Sequence, residues 1–476
     1  MQFDLQLPVR FRWARNPIFA ISAAWAAVYS FSASGPGYTP FNELYFLSAG
    51  KFHLDWSYAD QPIGLPLLAR LADTIWADST LGLRIPAIIM CVVGIIVASL
   101  LAREFGGGAR AQIATAAMYG ALGVVPGWSE METTSFDPQL WLVIIYFLAR
   151  WMRTESARYL IGAGLVTGLA LSVKYLVPVL WVGIVIGVLL CGPRRILTRP
   201  ALWLGGCVAI VVALPGLLWQ QAHDWPQAAM TEHLSSRDGL FDFGTGRFLV
   251  LVPFGAFALI GGIIAMFRIR ELRPFRFLAV ALAVALAAVF ASGGRGDYVN
   301  GLIVAVIVCG IAAADMVLPA RLLRWGAGPL AAVTVIIPLV LVGASTVEQE
   351  IDYAGNIVAQ ITSVTDKYPE TPIVSDTYEM AAKVEYLGST GRENDSPGRV
   401  FSPNLGYWYF GPPPNTDSVL YITRHENLPE PLERAFRTIT QVSTTDADNL
   451  GPAYVWNLSG RTEMWDTLWP QLSELK

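Results

Sequence analysis

Long apolar runs alternate with short polar connections as far as Ser345, where the pattern breaks. Runs able to cross roughly 30 Å of hydrocarbon occur at about 17–33, 83–101, 111–128, 137–150, 159–173, 176–191, 201–219, 248–267, 274–292, 299–318 and 325–345. They predict about 11 transmembrane helices. Beyond Ser345 the chain is rich in Asp, Glu, Asn, Thr and Pro. Short β-like runs at Thr371–Ser375, Ser418–Thr423 and Ala453–Asn457 alternate there with helical stretches at Val347–Lys367 and Tyr378–Leu387. That alternation predicts a soluble α/β domain with a mixed sheet. The expected organisation is a membrane domain over 1–345, with outer loops at about 34–82, 128–137, 220–247 and 292–298, and a second domain over 346–476.

Composition agrees. Hydrophobic residues make up 54% of the chain and charged ones only 15%, against about 25% charged in soluble domains; the mean hydropathy is +0.46. The net charge of −4 averages a basic set of loops and an acidic tail, and gives no basic surface for nucleic acid. Arginines fall in alternate loops, among them Arg10, Arg12 and Arg15, Arg150, Arg153 and Arg158, and Arg268, Arg270, Arg273 and Arg276. Short Lys/Arg-rich loops are retained in the cytoplasm. The N-terminus is therefore expected inside, and the first loop and the tail outside, with span one as an uncleaved anchor. Cys91, Cys191, Cys207 and Cys309 lie in apolar runs and read as buried small side chains. No His or Cys spacing suggests zinc.

Chemistry concentrates in the outward loops. Glu43 and Asp60, with Tyr45 and Tyr58, occupy the first, and Asp137, preceding Pro138, stands where the chain re-enters the membrane. Carboxylates beside hydrocarbon are costly and mark function, although Asp137 also suits a helix cap. Lys174 lies between two apolar runs, where a lysine either snorkels or serves a ligand. Arg237, Arg247 and Arg295 lie in later outer loops. Basic groups facing acids on one surface suggest an anionic ligand whose nucleophilic partner meets a carboxylate. No cofactor is required; a hard divalent cation held by Glu43, Asp60 or Asp137 stays open, since oxygen-only sites leave little trace in sequence.

The motifs Asn42-Glu-Leu-Tyr-Phe46, Tyr58-Ala-Asp-Gln-Pro62, Thr133-Thr-Ser-Phe-Asp137, Val173-Lys-Tyr175, Leu214-Pro-Gly-Leu-Leu-Trp-Gln220 and Gly294-Arg-Gly-Asp-Tyr298, in this order, resemble the bacterial branch of the dolichyl-phosphate-mannose protein mannosyltransferases, which includes the lipid A aminoarabinose transferase. Ser402–Pro412, containing Asn404 and Trp408, looks like a segment of that branch's outer domain. The resemblance implies the GT-C fold in the inner membrane of a bacterium and inverting transfer of a sugar from a polyprenyl-phosphate donor to a cell-envelope protein, glycan or lipid. By the same resemblance Lys174, Arg295, Tyr298 and Tyr58 surround the donor phosphate, with Arg237 a further basic candidate for it, and Asn42, Tyr45, Asn404 and Trp408 are expected to support the acceptor or the loops. One departure matters. The family opens this loop with an Asp-Glu pair where this chain has Asn42-Glu43, and Gln61 replaces the lysine of the aminoarabinose enzymes. The base is therefore open among Glu43, Asp60 and Asp137. A lipid or solute transporter and a non-catalytic scaffold are the alternatives; against the first, charges gather at one face rather than at mid-depth.

Overall fold

The computed structural model describes residues 7–34, 42–123, 128–235, 253–319, 358–389, 400–445 and 451–473. They fall into two compact units: Met1–Ala33, Arg84–Leu217 and Leu234–Ala344 form one, and Ser34–Leu83, Leu218–His233 and Ser345–Lys476 the other. In chain order the helices begin with α1 (Arg15–Ala33), α2 (Glu43–Phe52), α3 (Gly64–Ile75), α4 (Thr80–Glu104), α5 (Ala109–Leu122), α6 (Asp137–Thr154), α7 (Ala157–Val173), α8 (Val177–Cys191) and α9 (Pro200–Ala222). They continue with α10 (Pro226–Ser235), α11 (Pro253–Arg268), α12 (Phe277–Ala291), α13 (Asn300–Val317), α14 (358–365), α15 (Tyr378–Ser389), α16 (Glu430–Ala435) and α17 (Trp465–Leu472).

The regular secondary structure of the first unit's described residues is all helical. The described part of each apolar run up to 299–318 lies largely on a helix, and the run at 325–345 lies outside the described residues. Among the described residues three stretches, Thr80–Glu104, Pro200–Ala222 and Gly296–Val317, are long and apolar enough to cross a bilayer unaided. Helices α7, α8 and α12 are apolar but have 17, 15 and 15 residues, reaching only about 22–26 Å at 1.5 Å per residue. The described helices thus give several apolar spans without fixing their number at eleven. Helix α13 is apolar all round and almost wholly buried, as a central helix must be. Of the cysteines, Cys207 on α9 is exposed rather than buried.

Backbones in this unit approach closely through glycine, the usual device where lipid tails are as apolar as the side chains. A methyl group on Gly262 of α11 would overlap the Val306 carbonyl of α13, and one on Gly310 of α13 the Ala258 carbonyl of α11. Helices α8 and α12 meet in the same way, with Gly183 against Ala281 and Gly187 against Phe277.

The second unit contains a five-stranded sheet in the order β2-β1-β3-β5-β4, with β1 (Ile373–Ser375), β2 (Val400–Phe401), β3 (Ser418–Thr423), β4 (Phe436–Thr444) and β5 (Tyr454–Arg461). β1 runs parallel to β2 and β3, and β5 is antiparallel to β3 and β4. Side chains alternate between faces. Ile373, Leu420 and Ile422 pack with Met380 and Ala381 of α15 and with Tyr45 and Ala49 of α2. Val374, Val419 and Tyr421 face Leu432 of α16 and Trp465 and Leu468 of α17. Three of the strands coincide with the predicted β-like runs, and α15 with the predicted helix. Of the helix expected over Val347–Lys367, 358–365 is helical and the part before 358 lies outside the described residues. The segment read as the first outer loop carries α2 and α3, each too short to register as a span. Helix α3 leaves Leu67, Leu71 and Ile75 exposed at four-residue spacing.

Gly310→Ala should lower the Tm of the detergent-solubilised protein, because the methyl group would push α13 off α11, at a cost of about 1–3 kcal/mol. Gly261→Ala, where nothing lies within 4 Å of the new atom, should leave Tm unchanged or slightly raised. Equal Tm shifts for the two variants would contradict this packing.

Candidate active site

In the first unit, four predicted residues gather where α6, α7 and α13 begin or end. A short turn, Thr133–Ser135, leads into α6, whose first residue is Asp137 and whose Pro138 sits in the first turn, where its missing N–H costs nothing. No side-chain cap closes this helix start. The Asp137 carboxylate instead accepts the indole N–H of Trp141 at 3.0 Å, so the capping role open in the sequence is not the one adopted. Asp137 is 4% exposed and within electrostatic reach of Lys174 and Asp297.

Lys174 terminates α7 with extended backbone, φ −157° and ψ 137°. Its Nζ lies 4.1 Å from the ring centroid of Tyr298, a cation–π contact. No carboxylate among the described residues pairs with it at salt-bridge distance. Arg295 is different: its guanidinium forks onto Asp297, at 3.3 and 3.1 Å. Its charge is thus partly offset. Gly301 lets the start of α13 close on α6, since a Cβ there would lie 2.5 Å from Trp141 Cβ and 3.0 Å from the Pro138 carbonyl. Arg237 and Arg247 lie outside the described residues.

The second unit holds the other carboxylates. Glu43 opens α2 and is fully buried. Two residues on, the Tyr45 hydroxyl donates to Asp60 Oδ1 at 2.8 Å. Burial pushes Asp60 up to about 6, opposed by that hydroxyl, and burial likewise holds the Tyr45 phenol well above its ordinary value. Gly406, in the turn Leu405–Phe410, closes over the pair: a methyl there would overlap the Tyr45 hydroxyl and lie 2.7 Å from Asp60 Oδ1. Tyr58 is spent on the backbone, its hydroxyl accepting from Asp55 N–H at 3.2 Å and donating to the His53 carbonyl at 3.1 Å. Gln220, the last residue of one motif, clamps this loop by donating to the Tyr58 carbonyl at 2.8 Å and to Ser57 Oγ at 3.0 Å.

Asn42 accepts the Tyr378 hydroxyl at 2.7 Å, and Asn404 accepts the Tyr378 backbone N–H at 3.3 Å. Trp408 packs on the opposite face of the sheet, where its carbonyl accepts from Trp469. A further network was not apparent in the sequence. Glu385 of α15 accepts hydrogen bonds from Ser48 and, at 2.7 Å, from Tyr407, and pairs with His53 at 2.9 Å. The His53 ring stacks on Phe410 at 4.1 Å. Only the tertiary fold joins these residues, and no spacing announces them. Within each unit, no three His, Cys, Asp or Glu side chains among the described residues form a metal-binding group.

Asp60 binds a proton more tightly in the folded protein, at about 6, than its ordinary 3.8. The group therefore disfavours folding above pH 6, and its penalty fades as pH falls toward 4. The Tm of Asp60→Asn minus that of wild type should be more positive at pH 7.5 than at pH 4.5. A difference independent of pH would contradict the burial of this carboxylate.

Residues 60–219 match the family model for dolichyl-phosphate-mannose-protein mannosyltransferase. The crystal structure of ArnT from Cupriavidus metallidurans bound to undecaprenyl phosphate superposes with a TM-score of 0.64 at 16% identity, covering 93% of this chain and 98% of that one. Its apo structure gives 0.63 at 15% identity, covering 92% and 97%. A comparison with curated proteins returns no match. The resemblance read from the motifs is borne out: the chain carries the dolichyl-phosphate-mannose-protein mannosyltransferase pattern over residues 60–219 and has the GT-C fold of ArnT over 93% of its length.

Proposed function

We propose that this protein is an inverting membrane glycosyltransferase, moving a sugar from a polyprenyl-phosphate donor to a cell-envelope acceptor on the extracytoplasmic face. The observation that carries the reading is the fold, shared over most of both chains with a protein solved with undecaprenyl phosphate bound. Lys174 supports it as a cation resting on an aromatic ring without a carboxylate partner among the described residues.

The reaction needs three things: a carboxylate to take the acceptor proton, positive potential for the departing phosphate, and exclusion of water from an oxocarbenium-like centre. In this reading Glu43, Asp60 or Asp137 does the first. Asp60 suits it well, because a carboxyl that titrates near 6 is a better proton acceptor than an ordinary one and is still ionised at neutral pH. Lys174 does the second, assisted by Tyr298 and Arg295. Phosphate is already a good leaving group and needs charge compensation more than a proton. Apolar helices supply the lipid surface along which a polyprenyl tail would lie, and the exposed Leu67, Leu71 and Ile75 of α3 suit a bilayer interface. The arginine-rich loops then face the cytoplasm.

Lys174→Ala should weaken binding of undecaprenyl phosphate, followed by tryptophan fluorescence in detergent, by about tenfold or more, as loss of a charge-assisted contact does. Lys51→Ala should be nearly silent; equal affinity in the two variants would move the phosphate site elsewhere. With a donor identified, Glu43→Gln and Asp60→Asn separate the candidates for the base. The true base should lose about 10² to 10⁴-fold in turnover with little change in donor affinity, whereas near-wild-type turnover in both would leave Asp137.

A further inference from the structure

In the first unit, a tyrosine at the start of α7 holds two cations. Arg150, near the end of α6, and Arg158, in the first turn of α7, both donate to the Tyr159 hydroxyl, at 3.0 and 3.1 Å. Their guanidinium carbons lie 5.2 and 4.9 Å from the centroid of its ring. Two like charges are thus drawn to one neutral group, and like charges at this range repel. Arg158 is exposed and Tyr159 half-buried, so the pair opens to the surface of the bundle.

The carboxylates nearby do not cancel this charge. Arg150 also reaches Glu104, but that group is shared with Arg10 and Arg153. Glu155, in the α6–α7 connection, is taken up by Arg195 and Arg199. Arg158 has no carboxylate partner among the described residues. Arg103 adds its charge within electrostatic reach of Arg10 and Arg150. This end of the bundle therefore carries a local excess of guanidinium, which calls for an anion.

The surroundings point to a lipid as its source. Leu165 and Leu169 fall on the same face of α7 as Arg158, because both separations are close to whole turns of a helix, and each leucine is 46% exposed. On a membrane-spanning helix such leucines meet acyl chains. A lipid lying along them would present its head group at Arg158. Tyr159 marks the same level, since tyrosine is enriched where hydrocarbon gives way to head groups. A free anion would gain nothing from the leucines. The planar fork of arginine matches phosphate oxygens, and basic pockets between transmembrane helices bind phospholipid head groups. The place is distinct from the donor site proposed above. Asp137 and Lys174 stand at the opposite ends of α6 and α7, with Lys174 about 24 Å along the helix from Arg158.

We infer that Arg150, Arg158 and Tyr159 form a binding site for the phosphodiester head group of an anionic glycerophospholipid, in the leaflet opposite that of Lys174. On the orientation proposed above this is the cytoplasmic leaflet. The site depends on α7 crossing the bilayer and not on which group the protein transfers.

The test is native mass spectrometry of the full-length, delipidated protein, titrated with phosphatidylglycerol or with phosphatidylcholine, whose head group is neutral overall, and with inorganic phosphate as a competitor. Wild type should bind phosphatidylglycerol about tenfold or more tighter than phosphatidylcholine. Arg158→Gln, at an exposed position, should keep Tm and bring that ratio close to one. Arg158→Lys, which keeps the charge without the fork, should retain part of it. Arg110→Gln, at an exposed arginine of α5, should leave the ratio as in wild type, and undecaprenyl phosphate should bind Arg158→Gln as it binds wild type. Equal affinity of wild type for the two phospholipids would overturn the site. Equal losses in Arg158→Gln and Arg110→Gln would reduce it to a diffuse basic surface and overturn it too. Displacement of phosphatidylglycerol by inorganic phosphate would make it a site for free anions and overturn the lipid assignment.

Discussion

A carboxylate removed from water is stable only if opposite charge or hydrogen bonds replace its hydration, and both units are organised around carboxylates held in this way. Glu104 in the first unit has no exposed surface and pairs with Arg10 at 3.2 Å, Arg150 at 3.3 Å and Arg153 at 2.9 Å. It gathers the chain before α1 and the ends of α4 and α6 onto one point. Glu385 does the same in the second unit with neutral donors and one histidine. The two solutions have different consequences. Three arginines around one carboxylate leave surplus positive charge and a fixed structural node, whereas Asp60, which accepts from the Tyr45 hydroxyl, is pushed by burial up to about 6.

That contrast refines how the arginine pattern is read. Arg10, Arg150 and Arg153 belong to the set whose alternation sets the expected topology, yet all three are committed to Glu104. Their side chains therefore serve packing as well as orientation. Lys174, by contrast, is stabilised by a ring face, which offsets no charge. Glycine complements this economy of charge: Gly301 and Gly406 bring backbone against the Asp137 and Asp60 clusters at positions where any side chain would intrude.

Much of the fold was legible because its signals are local. Apolar runs marked the helices of the first unit, and Ser418–Thr423 read as a strand because nearly every residue in it is buried. Strand β4 escaped because it pairs only with β5 and leaves Arg437, Thr438, Thr440 and Gln441 in solvent, so its polar composition resembles a loop. Of the site, the carboxylates and Lys174 were visible as charges in apolar surroundings. Glu385, His53 and Ser48 were not, since each is ordinary in its own segment and acquires meaning only through the others.

The bond between Ser48 and Glu385 joins residues 337 positions apart. At roughly 5–20 residues per second, the ribosome needs on the order of 20 to 70 s to deliver Glu385 after Ser48 has emerged. Through that interval α2 has been made, but the carboxylate that its serine and histidine face does not yet exist. The nascent first loop is a natural client for quality control, and a prematurely terminated chain would present it as an unfinished surface for proteolysis.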